Sequence, residues 1–117
     1  VVDDGAVPTV GPGSLVVVHL ANPREKIWGL LVRIDAPGVV LRGLDLDTVE
    51  DWLAQERSAG EPLIVPSTCF VPSHRLVRID LDESGPVHSG YGDRFLREVG
   101  RDVRRALLGA DGSGEPG

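Results

Sequence analysis

Apolar and polar positions along the chain follow a strand-like period first and a helical one later. "LVVVHL", Leu15 to Leu20, is β-branched and apolar on both faces, which predicts a strand covered on both sides. "NPRE", Asn22 to Glu25, is a turn signal, with Pro23 fixing φ. "KIWGLLVRID", Lys26 to Asp35, alternates. Leu30, Val32 and Ile34 fall on one face; Arg33 and Asp35 fall on the other. After the turn "APG" at 36–38, "VVLRGLDL", Val39 to Leu46, predicts a third strand. Gly29 and Gly43 lie inside these strands, where glycine marks a bend or a close backbone approach.

The period then lengthens. "DTVEDWLAQERSAG" predicts a helix with Asp47 as cap, Glu50 completing a capping box and Gly60 as stop. Val49, Trp52 and Leu53 form its buried stripe. Pro66 and Pro72 bracket a short strand, Ser67 to Val71, and Arg75 to Leu81 predicts another with Val77, Ile79 and Leu81 alternating. A last helix spans Asp93 to Leu108, with Phe95, Leu96, Val99, Val103, Ala106 and Leu107 on one side and Gly109 ending it. The order is three strands, a helix, two strands, a helix. That pattern predicts a mainly β fold with accessory helices, a five-stranded SH3-like or Sm-like small barrel. One helix is inserted between strands 3 and 4, and one is C-terminal. Residues 14–108 form the single domain, 1–13 a flexible N-terminal arm and 109–117 a flexible tail.

Composition narrows the function. With 117 residues and 41% apolar content, one globular domain is expected. No apolar run reaches the ~20 residues of a membrane span, so no membrane partner is expected. The sequence has no basic-plus-apolar leader pattern and a single cysteine, which predicts a cytoplasmic location. The net charge is −6. Four of the 18 acids, Asp3, Asp4, Asp111 and Glu115, lie in the two tails, which leaves 14 against 12 Lys/Arg between them. That balance argues against a general polyanion binder.

"STCFVPSHR" raises the question of a Cys69–His74 nucleophile pair. A reactive thiolate needs a helix N-terminus or cationic surroundings, and nothing local supplies them except His74. Cys69 therefore reads as core, with His74 at a strand-to-strand corner. His19, His74 and His88 are scattered without ligand spacing, so no metal is expected. His19 reads as a satisfied barrel residue. The sequence contains no phosphate-loop, dinucleotide or nucleophile-elbow motif, and neither a cofactor nor a catalytic residue is assigned.

"VVVHLANPREKIWGLLVRIDAPGVVLRGLDL" resembles the first motif of Sm-like (Lsm) proteins, with Leu20, Gly29 and Asp35 at that family's Leu, Gly and Asp. "VPSHRLVRI" resembles the second, with Val71, Leu76 and Ile79 at its apolar places. The resemblance covers about residues 15–46 and 67–82. It implies a small barrel and a homo-oligomeric ring, with RNA as one ligand class. The family's Arg-Gly pair is Pro72-Ser73 here, and its RNA-contacting Asn has no counterpart, which weakens the implication of base recognition.

Two surfaces carry candidate binding residues. On the hairpin, Arg24, Lys26 and Trp28 could hold a phosphate or a base; the alternative is an exposed turn whose Trp28 folds onto the barrel. On the final helix, Arg94, Arg97, Arg101, Arg104 and Arg105 fall near one stripe, with Glu98 and Asp102 interleaved as intrahelical partners. The candidates are Arg24, Lys26, Trp28, His74, Arg75, Arg97 and Arg101. The expected function is non-enzymatic binding or assembly, with RNA or a protein as partner. An interaction module without nucleic acid, or an enzyme using His74, are the alternatives.

Overall fold

In the computed structural model, residues 7–58 and 61–109 are described. The strands are β1 (Leu15–Leu20), β2 (Glu25–Asp35), β3 (Gly38–Asp45), β4 (Ser67–Pro72) and β5 (Leu76–Leu81). The helices are α1 (Val49–Arg57), α2 (Tyr91–Val99) and α3 (Val103–Leu108). All neighbouring strands are antiparallel, in the order β4-β3-β2-β1-β5. Among the described residues no ladder joins β4 to β5, so the sheet is open, whereas a barrel was expected. It cannot be flat, however. β4 and β5 sit at opposite edges, about 19 Å apart in a flat five-stranded sheet at ~4.8 Å per strand. The link between them is one 3-10 turn, Ser73–Arg75, which advances only ~6 Å. The sheet must curl until its edges approach at that end.

Each face has its own core. Val16, Val18, Leu20, Leu31, Val39, Leu41 and Val71 fill the concave face. Leu15, Trp28, Leu30 and Leu44 point the other way and meet Val49, Trp52, Leu53, Phe95, Val103 and Leu107 from the helices. This is why β1 is apolar on both faces. Trp52 stacks on Phe95 at 5.1 Å between ring centroids and lies tilted against Trp28 at 5.8 Å. Gly29 and Gly43 face one another across β2 and β3. A Cβ on either would stand 2.7 Å from the other's Cα, so the close approach read from the sequence is real.

Several expectations are corrected. In β2, Leu30 and Leu31 are both buried on opposite faces, while Val32 and Ile34 are 45% and 44% exposed. β1 pairs with β2 only as far as Leu15↔Leu30, and a register shift follows Leu31, so the strand's far end has lost one neighbour and its regular alternation. In β5 a shift between His19 and Leu20 leaves Val77 outside the pairing and 63% exposed; Ile79 and Leu81 pack inward as the alternation expects, and Leu76 takes the place of Val77. β4 reaches Pro72, and β5 starts at Leu76 because Ser73–Arg75 form the 3-10 turn.

The capping box of α1 is not formed. A 3-10 turn at Leu46–Thr48 precedes the helix, and no side chain caps it. The expected stop at Gly60 lies outside the described residues. The final helix is two helices. Gly100 takes φ 89° and ends α2, and Asp102 starts α3 by accepting the Arg104 amide. The expected arm is anchored near its end, where Gly13 N–H donates to the Leu31 carbonyl at 2.8 Å and Leu31 N–H donates to Ser14. Residues 1–6 and 110–117, the rest of the arm and most of the tail, lie outside the described residues. No helix among the described residues is long and apolar enough to cross a membrane.

Candidate functional site

The seven candidate residues do not converge. Arg24 and Lys26 are exposed on the β1–β2 hairpin and line a shallow cavity of about 480 Å³ with Glu25, Asp45, Leu46 and Asp47. Three of those six are carboxylates, so the cavity has no anion preference. Trp28 is fully buried among the helices, and its indole Nε1–H has no hydrogen-bond partner among the described residues. It is core, and the stacking role is withdrawn. The strand period puts residue 28 on the helix-covered face, and that burial decides its role.

Arg75 folds back on the hairpin. Its guanidinium donates to the carbonyls of Ala21 (3.1 Å) and Pro23 (2.7 Å) and pairs with Glu25 at 3.0 Å. It holds the turn in place, and those donors are spent. His74, next to it, is exposed on the 3-10 turn and lines none of the cavities described here. Arg97 is exposed and reaches Ser89 at 3.3 Å. Arg101 pairs with Glu56 of α1 at 2.5 Å and lies over the Phe95 ring at 5.6 Å.

The arginine stripe works between helices rather than within one. Arg94 makes two hydrogen bonds to Glu50 of α1, at 2.6 and 3.0 Å, and one to Glu98 at 3.2 Å. Arg57 of α1 returns the contact to Glu98 at 2.5 Å. Arg94–Glu98 is an i,i+4 pair of the expected kind. Hydrogen bonds from Arg94 hold Glu50 and Glu98 below the usual carboxylate range and push the guanidinium's own pKa further up. The network fastens α1 to α2.

Cys69 is half-buried against the concave core. Burial, with Asp45 and Glu25 nearby, pushes its thiol pKa up, the reverse of what a nucleophile needs.

One cavity with several charged walls escaped the sequence reading. It measures about 370 Å³ and lies between the β1–β5 surface and the start of α2. Across the strands Lys26, His19 and Arg78 sit in one paired row. Asp80 answers it by meeting His19 Nε2 at 2.8 Å and Arg78 Nε at 3.1 Å. Asp82, Glu83, His88, Tyr91 and Arg94 add further polar walls, and Val17, Leu46 and Leu81 add apolar ones. His19 is thus hydrogen-bonded, but on the helix side of the sheet rather than inside the curl. The only cue was the alternation of β1, which puts His19 on the face of Val17. Among the described residues no group of three or more His, Cys, Asp or Glu is arranged to hold a metal ion. No family profile matches the sequence, and neither the curated proteins nor the solved structures contain a significant match to it.

Proposed function

We propose that this chain is a small protein-binding and assembly module, an SH3-like curl of the Sm-like kind, whose copies join edge to edge through β4 and β5. The carrying observation is that each of these strands is paired on one side only, β4 with β3 and β5 with β1. An unpaired edge is a template for another strand. β4 also carries an apolar flank, with Phe70 51% exposed and Leu63 and Val65 exposed just before it. Val77 offers an apolar contact on the β5 side. Pairing β4 of one copy with β5 of the next is head-to-tail, and such pairing closes into a ring when the rotation allows. The short link between β4 and β5 supports the curl that an SH3-like barrel needs.

Protein is the favoured partner over RNA. Trp28 is buried, and Arg75 and Arg101 are committed to partners inside the molecule. Between the tails 14 acids stand against 12 Lys/Arg, so there is no basic excess to hold a phosphate backbone.

Light scattering on the purified chain at micromolar concentration tests the assembly. The expected mass is a multiple of 12.5 kDa, and Phe70→Lys, on an already exposed position, should lower it. A strict monomer at every concentration overturns the reading. An RNA mobility shift that weakens steeply with salt would reverse the order of partners.

A further inference from the structure

A further cavity among the described residues lies where the end of the edge strand β5 meets the helices. It is a groove of about 640 Å³ between the arm at Pro8–Ser14, the ends of β1 and β5, and helices α2 and α3. That volume is within the ~300–1,000 Å³ typical of ligand sites. Its base is apolar: Leu15 and Val103 are buried, Leu81 is partly covered, and Leu96 stands beside them 59% exposed. Leu96 belongs by sequence period to the core stripe of the last helix. The break at Gly100 separates α3 from α2 and leaves Leu96 facing this groove instead. Gly92 keeps the base open: a Cβ there would lie 2.6 Å from Leu15 Cδ1.

The upper walls are acidic. Asp82, Glu83, Asp93 and Asp102 line the groove against one cation, Arg104. Arg104 is turned aside, with its Nε donating to the Gly13 carbonyl at 2.9 Å. Asp82 accepts the Tyr91 and Gly92 amides at 2.8 Å each, and Asp93 accepts the Ser84 hydroxyl. Each of these contacts uses part of a carboxylate's acceptor capacity, about four lone-pair sites per group. The excess negative charge over an apolar base selects a ligand of opposite pattern.

We infer that this groove docks a partner segment in which one or two aliphatic side chains are flanked by Lys or Arg. The aliphatic group packs on Leu96, Leu15 and Val103, and the flanking cations meet Glu83 and Asp93. Both ends of this chain are the wrong sign for the role, since they carry Asp3 and Asp4, and Asp111 and Glu115. Electrostatic attraction to a chain of net charge −6 also speeds such an encounter.

The probe is an acetylated, amidated peptide with a Leu-Leu pair flanked on each side by two lysines, titrated into the 15N-labelled full chain and followed by amide shifts. Two controls replace the lysines by glutamate or the leucines by serine. The expected result is saturable shifts at Gly92, Leu96 and Val103 with the lysine–leucine peptide only. Leu96→Ser and Glu83→Lys, both at exposed positions, should each weaken it about tenfold; unchanged melting curves show that the fold survives. No shift at those three residues overturns the inference. So does equal binding of the serine control, which is generic polycation attraction. Concentration-dependent shifts at the same residues without peptide also overturn it, because a second copy then fills the groove. Leu81, at the end of β5, borders the groove, so light scattering with and without the peptide separates the two readings: saturable shifts at an unchanged mass belong to the groove and not to ring assembly.

Discussion

Gly43→Ala tests the sharpest steric statement in the fold. A Cβ at residue 43 would lie 2.7 Å from Gly29 Cα and 2.9 Å from the Trp28 carbonyl carbon. A Cβ at residue 29 would lie 2.7 Å from Gly43 Cα and 2.9 Å from the Arg42 carbonyl carbon. Carbon atoms rest at about 3.5–4.0 Å, so β2 and β3 must part by roughly 1 Å. No side chain can rotate away, because the opposing atoms are backbone. Overpacking costs about 1–3 kcal/mol when side chains can adjust. Stretching the β2–β3 ladder adds about 1 kcal/mol per weakened hydrogen bond. The expected loss is about 3 kcal/mol, a large share of the ~5–15 kcal/mol that holds a domain together. Urea unfolding followed by tryptophan fluorescence reads it, since Trp28 and Trp52 are both buried. The double variant sharpens the test. Gly29→Ala opens the same gap, so a second methyl costs little once the first has parted the strands. The double variant should therefore lose at least about 1 kcal/mol less than the sum of the singles. A Gly43→Ala protein within about 0.5 kcal/mol of the parent, or strict additivity, would refute the reasoning.

Three further outcomes are expected. Glu50 and Glu98 have pKa values lowered by Arg94, so their stabilisation is complete above the ordinary value of about 4.5 and fades as pH falls through the lowered values; Arg94→Met should flatten the acid side of the Tm-versus-pH curve, and parallel curves would count against the network. Cys69, with its raised thiol pKa, should alkylate slowly near neutral pH and at least about tenfold faster in urea, as a mass-spectrometric time course would record. Trp52→Ala should cost about 3–5 kcal/mol in chemical denaturation, because the ring is buried between Trp28 and Phe95; a loss below 1 kcal/mol would show that α1 packs without it.

Much of the fold was readable where one period governs a whole element. The five strands and the helix after β3 follow from alternation and from the Val49-Trp52-Leu53 stripe, because burial on a fixed face imposes a fixed spacing. The failures sit where that spacing is interrupted. A bulge displaces Val77 and another shift disturbs β2 after Leu31, and a bulge leaves no mark in a run of β-branched residues. Gly100 was visible as a glycine, but the stripe continued past it through Val103 and Leu107. A helix broken by one left-handed glycine can resume with nearly the same face, so the period alone does not expose the break.

The binding residues were harder to read, for a related reason. Local sequence reveals the cations but not their partners. Arg75 bonds to a carbonyl 54 positions away, Arg94 to a carboxylate 44 away, and Arg101 to one 45 away. An i,i+4 rule finds only Arg94–Glu98. In the arginine row of the last helix, read from the sequence as paired within that helix, Arg94 and Arg101 instead hold α1, while Arg75 holds the hairpin. The reverse error hides the groove. Leu96 counts as core by its helical spacing, Asp93 as the start of the last helix and Asp102 as a partner within it. The turn at Gly100 sets Asp102 and Val103 beside Leu96 and Asp93 of α2, and the end of β5 adds Asp82. The groove is acidic around an apolar base and two strand edges are half-used, and the proposal of a protein partner rests on these two features.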